Sequence, residues 1–170
     1  INGNSIFRTN GLNINIGGNL TNNNNNAASG LTNGGYQAST STQVTTFNGS
    51  GAHSIAGAGA NLTNFANVVI NSSGTMTLAA NSNLRINGDL TLNTGTLSDG
   101  GNTITVTGNL FNSATHTSPS TSGGLNLAGT QEQIISGNGA GVFGNIILNN
   151  TLGMEMTDNS VINGQLTFAL

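Results

Sequence analysis

Residues 86–110 read INGDLTLNTGTLSDGGNTITVTGNL, and this stretch decides the fold. Leu90 and Leu92 flank one polar residue, Ile104 and Val106 flank another, Leu97 stands alone between them, and Leu110 opens the next strand. An apolar-x-apolar pair has a period of two, the mark of a short strand with one buried face. No 3.6-residue period is sustained, and each intervening Gly would cost a helix about 1 kcal/mol. Gly and Asn instead suit sharp corners, because they tolerate left-handed backbone angles. Every third strand returns to the same phase after 20 to 22 residues, from Val68 to Leu90 and from Leu90 to Leu110. Three short strands per turn predict an all-β chain folded as a parallel β-solenoid, right-handed by the usual crossover preference. About eight coils at about 4.8 Å each would make a rod about 40 Å long.

The pattern extends in both directions. Upstream it continues at Val68/Ile70, Met76/Leu78 and Leu84/Ile86, and downstream at Ile146/Leu148, Met154/Met156 and Leu166/Phe168, with Ile162 also predicted inward. The centre of each pair should face solvent, and it is polar at Thr77, Arg85, Thr91, Thr105, Asn126, Glu155 and Thr167. Val69 and Ile147 depart from this. They are the one predicted contact surface, covered either by a loop of the same chain or by another chain.

A longer repeat underlies that pairing. FANVVINSSGTM (65–76) matches FGNIILNNTLGM (143–154), so Val69 and Ile147 fall at equivalent places. INGDLTL (86–92) matches INGQLTF (162–168), and NINIGGNL (13–20) matches TITVTGNL (103–110). The chain therefore divides into residues 1–85 and 86–170, two repeat units of one continuous solenoid. Polar loops are expected near 22–42 and 113–124. The sequence opens on the same ING phrase, without Met or a leader, and reads as a piece cut from a longer array.

Composition excludes several functions. Charged residues are 4% of the chain, against roughly 25% in a typical soluble domain. Arg8 and Arg85 are the only basic side chains besides histidine, too few to neutralise nucleic-acid phosphates or hold an anionic membrane. No apolar run approaches the roughly 20 residues of a spanning helix. With no Cys, there are no disulfides or thiolate metal sites. The chain has 31 Asn and 26 Gly, so its solubility must rest on amides and hydroxyls.

No catalytic, cofactor-binding or metal-ligating residue is assigned. Asp89, Asp99 and Asp158 occupy turn-type positions, and no two acids cluster as a general acid–base pair requires. His116 lies near Pro119 in a polar run and reads as a solvated loop histidine, and His53 has no histidine at its repeat position. SDGGN (98–102) occurs once, whereas calcium-binding solenoids place an Asp in every turn. Flat solenoid faces carrying T-x-T rows bind ice, and Thr75/Thr77, Thr103/Thr105 and Thr105/Thr107 fit the motif. At the repeat position of the first stand Gly153 and Glu155, so no continuous row is expected. Without Trp, and with Tyr36 the only Tyr, no aromatic platform for sugars is evident.

The series GNTITVTGNL, FANVVINSSGTMTL, NSNLRINGDLTLNTGTL and LAGTQEQIISG resembles the β-strand repeats of very large secreted surface proteins of the Bacteroidetes. These include gliding-motility adhesins and other substrates of type IX secretion. The resemblance implies a non-enzymatic, rod-like stalk or adhesive filament at the bacterial cell surface. Its partners would be neighbouring repeats of the same chain and extracellular surfaces or polysaccharide. A self-assembling sheath subunit is the main alternative, and a carbohydrate-binding β-helix the lesser one.

Overall fold

A computed structural model of the chain describes residues 1–24, 30–57 and 63–169. Among the described residues there are strands and no helix, and every strand pairing is parallel. The chain winds into a β-solenoid of about 7 turns with roughly 21 residues per turn. Each turn contributes one strand to each of three faces.

Leu84–Ile86, Thr103–Val106, Gly124–Leu127, Ile146–Leu148 and Leu166–Phe168 stack on the first face, with Leu84, Ile104, Leu125, Ile146 and Leu166 in one register column. The second face carries Val44–Phe47, residues 68–70, residues 90–92, Leu110–Asn112 and Gln133–Gly137. The third carries His53–Gly57, residues 75–78, residues 96–98, Thr115–Thr117 and Gly141–Phe143. The long strands Asn67–Leu78 and Leu90–Ser98 bend round one corner and serve both the second and the third face. Arg85 pairs with Asn64 on one side and Thr105 on the other, so the stack runs unbroken between the two sequence units.

The alternation read from the sequence is the alternation of burial. Val68, Ile70, Met76, Leu78, Leu84, Ile86, Leu90, Leu92, Ile104, Val106, Leu110, Ile146 and Leu148 all lie in the core. Met154 and Ile162 are only partly buried, while Met156, Leu166 and Phe168 are 39%, 41% and 69% exposed. Their register partners Ile135, Ile146 and Leu148 are buried, so they occupy the inward columns but have a neighbouring turn on one side only. Tyr36, Phe47 and Phe65 join the core as an aromatic cluster, with ring centroids 4.9 Å apart for Tyr36–Phe65 and 6.0 Å for Phe47–Phe65. Such pairs contribute about 0.5–1.5 kcal/mol beyond their burial.

Both expected loops are shorter than the sequence suggests. Within 22–42 the chain forms the strand Tyr36–Gln37, with Tyr36 and Ala38 buried, while residues 25–29 lie outside the described residues. Within 113–124 it forms Thr115–Thr117, leaving only 118–123 off the coil. Polar residues at these positions hid strands whose inward side chains are not aliphatic.

The corners use Asn and Asp as hooks to the next turn. Asn67 Oδ1 accepts from the N–H of Asp89 (2.9 Å), Asp89 Oδ1 from Asn109 (2.7 Å), and Asn109 Oδ1 from Ile134 (2.9 Å). Each side chain thereby satisfies a backbone donor that the corner removes from the strand ladder. At the corner between the second and third faces Gly95 adopts φ +79°, and a Cβ there would lie 2.2 Å from the carbonyl oxygen of Ser72 in the turn before. Only Gly fits that approach.

The long sequence repeat has a different geometry from the coil. Residues 68–70 lie on the second face and their match, 146–148, on the first. Ile86 ends a first-face strand and its match Ile162 a third-face strand, while Ile14–Ile16 (second face) matches residues 104–106 (first face). In each case the later copy lies eleven strand positions on, one short of four full turns. Equivalent residues are therefore turned by one face around the axis.

Candidate functional site

Ionisable and hydroxyl groups converge at one place, where three successive turns meet. Leu97 and His116 share an inward register column on the third face, and Asp99 follows at the end of that strand. Thr77 pairs with Ser98, so Asp99 takes the next place along from Leu78, in a column otherwise filled by Leu78 and Ile55. The side chains of Asp99 and His116 are both fully buried. Asp99 does open the turn, as read from the sequence, with Asn102 N–H donating to its carbonyl at 2.9 Å, whereas the reading of His116 as a solvated loop residue is corrected. The strand register turns both inward.

The donors form short chains that end on the carboxylate. The N–H of Gly144 donates to His116 Nδ1 (3.1 Å), which leaves the ring proton on Nε2, facing Asp99 Oδ2 at 3.2 Å. The N–H of Asn145 donates to Ser118 Oγ (2.8 Å), and the Ser118 hydroxyl donates to the same Asp99 oxygen. Gly101 N–H donates to Oδ1 at 2.7 Å. Burial pushes the Asp99 carboxyl up, but the hydrogen bonds from His116, Ser118 and Gly101 outweigh it and hold the group below its ordinary value. Asn145 completes the structure, donating from Nδ2 to the carbonyls of Ser120 (2.8 Å) and Gly123 (3.4 Å) and accepting from Gln165 N–H at 3.0 Å. The 118–123 loop is thus tied to the turns on either side.

The types match a Ser–His–Asp set, but the order of contacts does not. In a nucleophilic triad the imidazole takes the serine proton. Here serine and histidine both donate to the carboxylate, and the second ring nitrogen is occupied by a backbone N–H. A cavity of about 160 Å³ flanks the cluster, lined by His116, Ser118, Val142, Gly144, Asn163 and Gly164 among others. The arrangement is a lock between turns. Among the described residues no group of three or more His, Asp or Glu could hold a metal ion. The SDGGN carboxylate is already spent on internal donors.

The remaining candidates are dispersed. Asp89 belongs to the corner ladder, and Asp158 Oδ2 accepts from Gly137 N–H at 3.2 Å. His53 Nε2 is buried without a hydrogen-bond partner, beside Gly49. Tyr36 is 1% exposed, its hydroxyl 2.6 Å from Thr45 Oγ1 and 3.3 Å from Gln43 Nε2, so it offers no platform to a sugar. Burial raises its phenol pKa, and the Thr45 and Gln43 hydrogen bonds offset part of that rise.

Val69 and Ile147 are both partly exposed, but on different faces. Val69 stands between Thr46 and Thr91 on the second face, and Ile147 between Asn126 and Thr167 on the first. The structure does not bring them together. More exposed apolar side chains lie on the same face two and three turns on, at Phe111 and Ile134, 36% and 39% exposed. Neither was flagged by an apolar-x-apolar pair, because Asn112 and Gln133 replace one inward member.

Fold and site together place this chain in the class of parallel β-solenoids with a polar lock between turns. No protein-family model matches it, and neither do curated proteins or solved structures.

Proposed function

We propose that the chain is a non-enzymatic structural segment, a rod-like stalk or adhesive filament of a secreted or cell-surface bacterial protein. The observation that carries this reading is the continuous stack of about 7 turns, in which each strand pairs only with those of adjacent turns. Such a stack lengthens by adding turns without redesign of the interior. Sides with few charges supply a surface little affected by salt. The resemblance to surface-protein repeats of the Bacteroidetes supports an extracellular placement, and adhesion would be to extracellular surfaces or polysaccharide. The test is immunogold electron microscopy of native cells with antibodies against residues 1–170. Label along filaments outside the cell is expected, and label confined to the cytoplasm would overturn the proposal. Label in a regular lateral lattice would favour the sheath-subunit alternative instead.

A further inference from the structure

We propose that the third face binds ice, through an uncharged two-dimensional array of hydroxyls. Thr75, Thr96 and Thr115 form one register column, and Thr77, Ser98 and Thr117 the next. Between the columns Met76, Leu97 and His116 are buried, so the six flanking side chains stand on the outer surface. Parallel strands lie about 4.8 Å apart and every second residue recurs after about 6.6 Å, which makes the array a rectangular net. An ice face repeats its oxygens on the same scale.

Among the described residues none of the six hydroxyls makes a hydrogen bond, so each keeps its donor and acceptors for water. The other faces differ. On the first, Arg85 bonds Asn87, Asn87 bonds Asn64, and Asn126 bonds Thr105. On the second, Val69, Phe111 and Ile134 interrupt the hydroxyls, whereas on the third the array is continuous over three turns and ends where Val142 and Val161 continue the Thr115 column. The array itself carries no charge, since Asp99 and His116 are turned into the core. Five of the six residues are Thr, whose branched side chains hold a narrow set of rotamers and present a methyl beside each hydroxyl. A rigid, repeating, weakly polar surface loses little entropy when it meets a lattice. A crystalline polysaccharide is the competing lattice, but its sugar rings call for aromatic platforms, and this array has none. The inference goes beyond the stalk reading and does not depend on it.

The test partitions the purified 1–170 chain between a slowly growing ice hemisphere and the remaining liquid, beside an inert globular protein. The chain is expected to be enriched in ice, and Thr96→Lys, at the centre of one column, to fall to the inert protein's level with an unchanged circular dichroism spectrum. Thr91→Lys, on the second face, is expected to remain enriched. Thr115→Lys is the substitute should Thr96→Lys fail to fold. Exclusion of the unmodified chain from ice would overturn the proposal, as would equal enrichment of a folded Thr96→Lys or Thr115→Lys chain. Binding to microcrystalline cellulose or chitin without enrichment in ice would overturn it in favour of a polysaccharide.

Discussion

Asp99→Asn tests whether the buried lock holds three turns together. The substitution preserves shape but replaces one carboxylate oxygen with an NH₂ group. Asp99 Oδ2 accepts from His116 Nε2 and Ser118 Oγ, and Oδ1 accepts from Gly101 N–H. Whichever way the amide turns, a donor meets a donor. The amide settles with its NH₂ at the Oδ1 position, where only Gly101 N–H faces it, so one charge-assisted bond is lost and those from His116 and Ser118 weaken to neutral ones, about 2–4 kcal/mol in all. The reporters are the amides of Gly144 and Asn145, which donate directly into the lock. Their hydrogen-exchange protection should drop about 30- to 800-fold, the same free energy written as an equilibrium. A change of less than about threefold at both amides would refute the reasoning, because such bonds would then contribute almost nothing.

The same carboxyl sets an acid limit. Its folded pKa lies below its unfolded value, near 3.9, so its stabilisation is complete above that value and is lost as pH falls through the folded pKa. The advantage of the unmodified chain over Asp99→Asn in urea denaturation should therefore shrink below about pH 4, and a gap that widens in acid would refute this. Phe65→Ala removes a fully buried ring packed on Tyr36 and Phe47 and should cost about 3–5 kcal/mol in the same assay. Gly95→Ala combines a left-handed φ with a Cβ against the Ser72 carbonyl, so a loss of at least about 1–2 kcal/mol is expected. Asn67→Ala and Asn145→Ala should each raise exchange at the amide their side chain receives, that of Asp89 and of Gln165, by similar factors. A response at only one of the two would show that their corners are not equivalent.

Period-two burial was legible because it needs only the alternation of one strand. Leu90/Leu92 and Ile104/Val106 announce an inward face whatever lies beside them, and both pairs are buried. The lock was not legible, because Asp99, His116 and Ser118 look like turn and loop residues until the register sets them in adjacent turns. Inward polar residues carry no periodic signal, and a buried carboxylate is recognised only by its donors. The hydroxyl array was hidden for a different reason. Its neighbours are about one turn apart, Thr75 beside Thr96 and Thr96 beside Thr115, whereas the longer repeat leads from Thr75 and Thr77 to Gly153 and Glu155. Those residues belong to the second face.

The mismatch between the two periods explains what the long repeat preserves. Eleven strands do not divide into three faces, so no surface can be inherited in place from one copy to the next. What passes intact is the corner. Phe65 and Phe143 are both fully buried at the end of a strand, although one closes the first face and the other the third. Two residues on, Asn67 and Asn145 do the same work. Each accepts an N–H from the following turn through Oδ1 and donates through Nδ2 to two carbonyls of an earlier segment, Ser41 and Gln43 in one case, Ser120 and Gly123 in the other. The phrase Phe-x-Asn-apolar-x-apolar thus encodes a corner that any edge of the rod can use. The outward centres are free to diverge because the corner does not depend on them, as Val69 among threonines and Ile147 between Asn126 and Thr167 illustrate. The outer surface therefore varies from face to face while the stack beneath it stays in register, and one face can acquire a hydroxyl array that the other two lack.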